Sequence, residues 1–181
     1  DLDPDAILGV LTAHDVRFVV IGGYAATVHR VPVPPTTDID ITPARDAENL
    51  ERLVAALREI EAINLIPEAI GSSRPPFFDD FDLLLRRRFW TLVTPHGAID
   101  LVIAPDGFPG GYEDLIGQAV LRRTVAADGT PLTIDVKVAS VHHIYLSKRA
   151  AGRAKDRRAL PALAQRVAQE LRGRSTGEHD A

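Results

Sequence analysis

Behind Pro4, the apolar residues Ile7, Leu8, Val10 and Leu11 recur at helical spacing and predict a short amphipathic helix ending near His14. The pattern then changes. Arg17-Phe-Val-Val-Ile-Gly22 is a compact β-branched run bounded by charge and glycine, as in a central strand covered on both faces. Gly22-Gly23 allows a sharp turn into Tyr24 to His29, whose alanines suit a short helix packed closely on a sheet. The prolines of Val31-Pro-Val-Pro-Pro35 cannot continue that helix and predict an extended connection. Thr37-Asp-Ile-Asp-Ile41 alternates polar and apolar, so as a strand it places Asp38 and Asp40 on one face and Ile39 and Ile41 on the other.

Asp46 has the character of an N-cap for a long helix to about Ala62, with Leu50, Leu53, Val54, Leu57 and Ile60 on its apolar face. Residues 64–80, with Gly71-Ser-Ser and Pro75-Pro76, read as an irregular loop followed by some local helix. Phe89 to Val93 and Ile99 to Ile103 flank Pro95-His96-Gly97 and predict a β-hairpin with a turn several residues long. A helix near Tyr112 to Gln118 leads to strands at about 119–126 and 131–138, separated by an Asp128-Gly129 turn. Ser140 would cap a helix from Val141 to Ala151, broken at Gly152 and resumed from Asp156 to about Leu171. These elements predict an α+β domain with a small mixed sheet flanked by helices. Its parts are a core over 1–139, a helical part over 140–172 packed on that core, and a flexible polar tail over 173–181.

Composition supports one soluble domain: 181 residues with 45% hydrophobic and 25% charged content can bury a proper core. No apolar run approaches the roughly 20 residues of a membrane span, so no membrane association is expected and cytoplasm is the expected location. The absence of cysteine excludes disulfides, thiolate metal sites and a cysteine nucleophile. The net charge of −4 hides an asymmetry, because residues 137–174 hold ten Lys and Arg against only Asp156 and Glu170. A basic C-terminal third facing an acidic half suits polyphosphate or nucleic acid on one side and a divalent metal on the other, though charged helices are also commonly just solvated.

Three carboxylates carry the candidate chemistry. Asp38 and Asp40 on one strand face can share Mg²⁺, since hard cations take oxygen ligands and leave positions for water and phosphate. Asp100 is an acid within the apolar run Ala98-Ile-Asp-Leu-Val-Ile103, where an uncompensated charge is costly. Together they can hold metal for in-line attack of a hydroxyl on the α-phosphate of a nucleoside triphosphate. Gly22 and Gly23 offer exposed backbone N–H groups to phosphate, or simply reverse the chain.

Strand, Gly-Gly turn, helix, Asp-x-Asp strand, long helix and a later strand aspartate together resemble the polymerase-β-like nucleotidyltransferase superfamily. That superfamily commonly has Gly-Ser at the turn; here position 23 is Gly, so a hydroxyl contact to phosphate is absent or supplied elsewhere. More narrowly, Lys148-Arg-Ala-Ala-Gly-Arg153-Ala-Lys155-Asp156 resembles the Lys…Ala-Gly-Arg-x-Lys-Asp segment of AbiEii-type toxin nucleotidyltransferases, which include the mycobacterial MenT toxins.

The resemblance implies a growth-inhibiting toxin paired with a cognate antitoxin. Such a toxin transfers nucleotides, pyrimidines by expectation, from an NTP to the 3′ acceptor end of tRNA and so blocks charging and translation. It implies Asp38, Asp40 and Asp100 as ligands of Mg²⁺ or Mn²⁺, with Asp100 also a base for the acceptor hydroxyl. Gly22, Gly23 and Lys148 would contact the triphosphate, Arg153 and Lys155 would contact phosphate or RNA backbone, and Asp156 would be a further functional acid. Lys137, alternating with Val136 and Val138, is a second phosphate candidate. The plainer readings are a helix N-cap for Asp156 and a solvent-facing side chain for Lys148. The alternatives in function are a protein or small-molecule acceptor, or a catalytically silent nucleotide-binding protein.

Overall fold

A computed structural model describes residues 2–65, 73–126 and 128–177, with side chains described as far as residue 173. The described elements are α1 (Pro4–Ala13), β1 (Phe18–Ile21), α2 (Gly22–Val28), β2 (Asp38–Pro43), α3 (Ala47–Glu59), β3 (Ile63–Asn64), α4 (Phe81–Leu85), β4 (Phe89–Thr94), β5 (Gly97–Val102), α5 (Tyr112–Ile116), β6 (Val120–Val125), β7 (Pro131–Val138), α6 (Val141–Ala151) and α7 (Ala154–Gly177), with a 3₁₀ turn at Pro76–Phe78. The strands form one mixed sheet in the order β3-β4-β5-β2-β1-β7-β6. β2 runs parallel to β5 and β1 parallel to β7, while the other neighbours are antiparallel. The α+β class with a mixed sheet is as the sequence pattern predicts.

All four residues of β1 are buried, as its β-branched run requires. Beside it, β2 and β5 alternate: Ile39, Ile41, Ile99 and Leu101 have no exposure, and the intervening positions remain open to solvent. The buried face packs with Leu50, Leu53, Val54 and Leu57 of α3, and Phe77 meets Trp90 edge-on at 4.8 Å. Asp46 caps α3 by accepting from the Asn49 N–H at 3.2 Å, as predicted. Truncating one of these fully buried leucines to Ala would cost about 2–5 kcal/mol.

Three predicted boundaries differ. The β4–β5 turn contains only Pro95 and His96, because Thr94 pairs directly with Gly97. Gly97 adopts φ +119°, a conformation that lets the ladder start immediately after the bend. Within the predicted loop over 64–80, Asn64 joins Ile63 in the short edge strand β3 and Pro76–Phe78 forms a 3₁₀ turn, while Gly71 and Ser72 lie outside the described residues. α7 begins at Ala154 and continues to Gly177, so part of the predicted tail is helical backbone and residues 178–181 lie outside the described residues.

Candidate active site

The parallel pairing of β2 with β5 sets Asp40 directly opposite Asp100, and Asp38 opposite Ala98. The isoleucines and Leu101 between them anchor both strands in the core, so the three carboxylates are left half-buried on the other face. On the far side of Asp40 lies Ile21, the last residue of β1. Gly22 follows with φ +70°, and a Cβ placed on it would stand 1.8 Å from Asp40 Oδ2. Only glycine lets the chain turn there with the carboxylate in place. Thr36 Oγ1 donates to Asp38 Oδ1 at 2.5 Å, and the same oxygen lies 3.0 Å from where a Cβ on Gly23 would be.

Crowding governs the electrostatics of this floor. Burial, followed by the charges of Asp38 and Asp100, pushes the Asp40 carboxyl up to about 7, against the pull of Lys148 and Lys155. Asp100 is also raised, by burial and then by Asp38, with Thr91, Lys155 and Arg153 opposing. Its Oδ1 is buried without a hydrogen-bond partner.

The facing wall is built from the α6–α7 corner. Ser140 caps α6 by accepting from the His143 N–H at 3.2 Å, and Gly152 ends the helix in the left-handed conformation. This corner brings Lys148, in the last turn of α6, back towards the first turn of α7. There Asp156 has no exposure and accepts from Lys148 Nζ at 3.1 Å and Arg153 Nε at 2.6 Å. Burial alone would raise this carboxyl, but the two cationic donors hold it below the ordinary range. Asp156 is the third residue of α7 and not its cap, and Lys148 is only 15% exposed, so the two plainer readings of the sequence both fail.

Between these walls lies a cleft of about 480 Å³. It gathers Gly22, Gly23, Asp38, Asp40, Asp100, Lys148, Arg153 and Asp156 along its lining. Lys137 is exposed on β7, pairs with Leu121 of β6, and does not line the cleft. Lys155 does line it and, among the described residues, has no carboxylate within ion-pair distance, whereas Lys148 is committed to Asp156. The lining also includes Thr36, Arg88, Phe89, Asp106 and Ser147, none singled out in the sequence reading. The run Arg86-Arg87-Arg88-Phe89 and the threonines before Asp38 were the available signals; Asp106 offered none. Two of the histidines are structural: His29 and His143 are buried, and the His29 ring contacts the Ala139 carbonyl at 2.8 Å.

The donor set fits a hard divalent cation in part. Asp100 Oδ1 has an unused buried lone pair, and the repulsion among the carboxylates is of the kind a bound cation relieves. Among the described residues, however, no three acid or histidine side chains close into a ready metal cage. An open set of oxygens matches Mg²⁺, which is commonly held by one or two carboxylates together with substrate phosphate and water.

The fold has solved counterparts. It is similar to that of the antibiotic-resistance factor ANT(2'')-Ia, with 14% identity over 96% of this chain and 92% of that one and a TM-score of 0.52. A protein of Thermotoga maritima, provisionally described as a nucleotidyltransferase, aligns over 96% of both chains at 16% identity with a TM-score of 0.41. What the first of these shares with this chain is the α+β fold. No protein-family model matches the chain, and no curated protein matches it. No described helix is long and apolar enough to cross a membrane.

Proposed function

We propose that this chain is a nucleotidyltransferase that moves a nucleotide from an NTP to a hydroxyl acceptor at the cleft between β2, β5 and the α6–α7 corner. The observation that carries the reading is the in-register pair Asp40 and Asp100, with Asp38 beside them and Gly22 pressed against Asp40. Magnesium, or manganese in its place, held by Asp38, Asp40 and Asp100 would polarise phosphoryl oxygens and favour ionisation of the acceptor hydroxyl.

The chain's own residues do the rest. The Gly22–Gly23 turn lines the cleft and offers backbone N–H groups to phosphate, and Lys155, Lys148 and Arg153 balance the triphosphate charge from the opposite wall. The Thr36 hydroxyl, beside the position that a serine at residue 23 would occupy, donates its proton to Asp38 and so orients that carboxylate. Asp100, whose affinity for a proton is raised, accepts the acceptor's hydroxyl proton. The acceptor oxygen then bonds to the α-phosphorus, the bond from that phosphorus to the bridging oxygen breaks, and pyrophosphate leaves. Asp156 orients Lys148 and Arg153 without itself meeting the substrate.

For the acceptor, we propose the 3′ end of tRNA, with the chain acting as a toxin that blocks aminoacylation and is neutralised by an antitoxin protein. The likeness of the Lys148 to Asp156 segment to AbiEii-type toxins and the basic C-terminal third support it. A small-molecule acceptor is the second reading, favoured by the fold shared with an antibiotic-resistance factor.

The test is incubation with total tRNA, Mg²⁺ and each α-labelled NTP in turn, beside an Asp40→Ala control. Label on tRNA that vanishes in the control supports the first reading. Label confined to a small hydroxylated acceptor supports the second, and label on protein or on nothing overturns both.

A further inference from the structure

The mouth of the cleft presents an aromatic ring that the core does not use. Phe89 is 61% exposed, while its strand neighbours Trp90 and Leu92 are buried. Isolated exposed apolar side chains are ordinary. This one faces a polar cleft, and its position along the sheet is informative.

Thr91 pairs with Asp100 and Phe89 with Val102, so Phe89 and Val102 extend the cleft floor by one residue pair beyond Asp100. Across the sheet, the cleft meets Gly22 at the end of β1, then Asp40 on β2, Asp100 on β5 and Phe89 on β4. Three strand spacings separate the first from the last, about 14 Å. With the triphosphate at Gly22 and the attacking hydroxyl at Asp100, whatever carries that hydroxyl continues over Val102 and Phe89.

The surroundings say what it is. Arg86, Arg87 and Arg88 immediately precede the ring and are all exposed. The Arg87 guanidinium is held over Trp90 at 4.7 Å, and Arg88 is held by Asp106 at 2.8 Å and the Ala104 carbonyl at 3.1 Å. Of the three, Arg88 lines the cleft with the ring, whereas Arg87 lies over Trp90 on the core-facing side of β4. Arg88, with Arg153 and Lys155 across the cleft, offers cations to phosphate while the ring offers a face to a base, as single-stranded nucleic acid requires.

We infer that Phe89 is the stacking platform for the 3′-terminal base of a single-stranded polynucleotide acceptor. The inference rests on the transferase reading for the order of groups along the cleft, and its test is independent of turnover. The probe is an unreactive 3′-deoxy RNA oligonucleotide of about eight nucleotides. It is compared with the same oligonucleotide lacking its terminal base, by equilibrium binding to wild type, Phe89→Ala and Phe89→Trp.

Loss of the ring is expected to weaken binding of the complete oligonucleotide about 10-fold. Tryptophan should restore it, and the abasic oligonucleotide should bind wild type and Phe89→Ala alike. The thermal midpoint of Phe89→Ala should match wild type, because the ring is not part of the core. Equal binding of the complete oligonucleotide by wild type and Phe89→Ala overturns the inference. So does equal weakening of the abasic one, or no binding by wild type at all. Base-dependent binding by a wild-type protein that transfers no label overturns the transferase reading and leaves the platform standing. RNA transfer undiminished in Phe89→Ala does the reverse.

Discussion

The two walls of the cleft hold aspartates in opposite electrostatic states. On the β2–β5 wall, Asp40 and Asp100 repel one another, hold protons more tightly than ordinary carboxylates, and leave Asp100 Oδ1 unpartnered. On the α6–α7 wall, the more deeply buried Asp156 has both oxygens bound by cations and is held below the ordinary range. Burial therefore does not separate them; partnership does. A buried acid with its own cations is complete within the fold, whereas a cluster of acids without them is completed by something from outside.

The sharpest way to break this contrast is Asp40→Asn. Transfer should fall by about 10³-fold or more, because a charge needed in the transition state is removed. The thermal midpoint of the metal-free protein should rise, since like-charge repulsion is relieved; a fall would mean that Asp40 is a structural acid like Asp156.

Asp156→Ala should behave oppositely. Removing one partner of a buried ion pair costs about 3–5 kcal/mol, a fall of roughly 10 °C or more in thermal midpoint. An unchanged midpoint would contradict the role given to this corner.

Gly22→Ala comes next, combining a positive φ with the clash against Asp40 Oδ2. The expected loss is about 1–3 kcal/mol in chemical denaturation, with transfer falling as Asp40 is displaced.

The pH dependence follows from Asp40, whose carboxyl moves from 3.8 to about 7 on folding. A raised folded value means that the native state binds the extra proton, so this contribution is full below about 4 and lost as pH rises through about 7. The stability gap between Asp40→Asn and wild type, measured in chelator, should therefore widen from pH 4 to 7 and then level off. A constant gap would exclude the assigned shift.

The smallest effect is expected at Lys137→Ala. An exposed strand lysine outside the cleft should change stability by no more than about 0.5 kcal/mol. Transfer should stay near the wild-type rate, and a large loss would mean that the substrate reaches β7.

Much of the acidic wall was legible in the sequence, because strict alternation fixes which strand residues share a face. Thr37 to Ile41 gave the sidedness of Asp38 and Asp40 directly, whereas Asp100 stood out only as an acid within the apolar run Ala98 to Ile103. Their parallel register was not legible, since it depends on how β2 and β5 meet across more than fifty intervening residues. The cationic wall was half-read. The Gly152 break marked a corner, but helical spacing within α6 or α7 could not place Lys148 against Asp156 in the next helix. Phe89 escaped notice because a strand-forming run of apolar residues reads as core, and only the sheet's pairing shows which of its faces is open.

Parallel reactions with α-labelled and γ-labelled NTP, Mg²⁺ and tRNA test the central claim most directly. The account predicts that the α label becomes covalently attached to RNA, that the γ label leaves as pyrophosphate, and that both signals disappear in Asp40→Asn. Transfer of the γ label, or α labelling that survives Asp40→Asn, would contradict it.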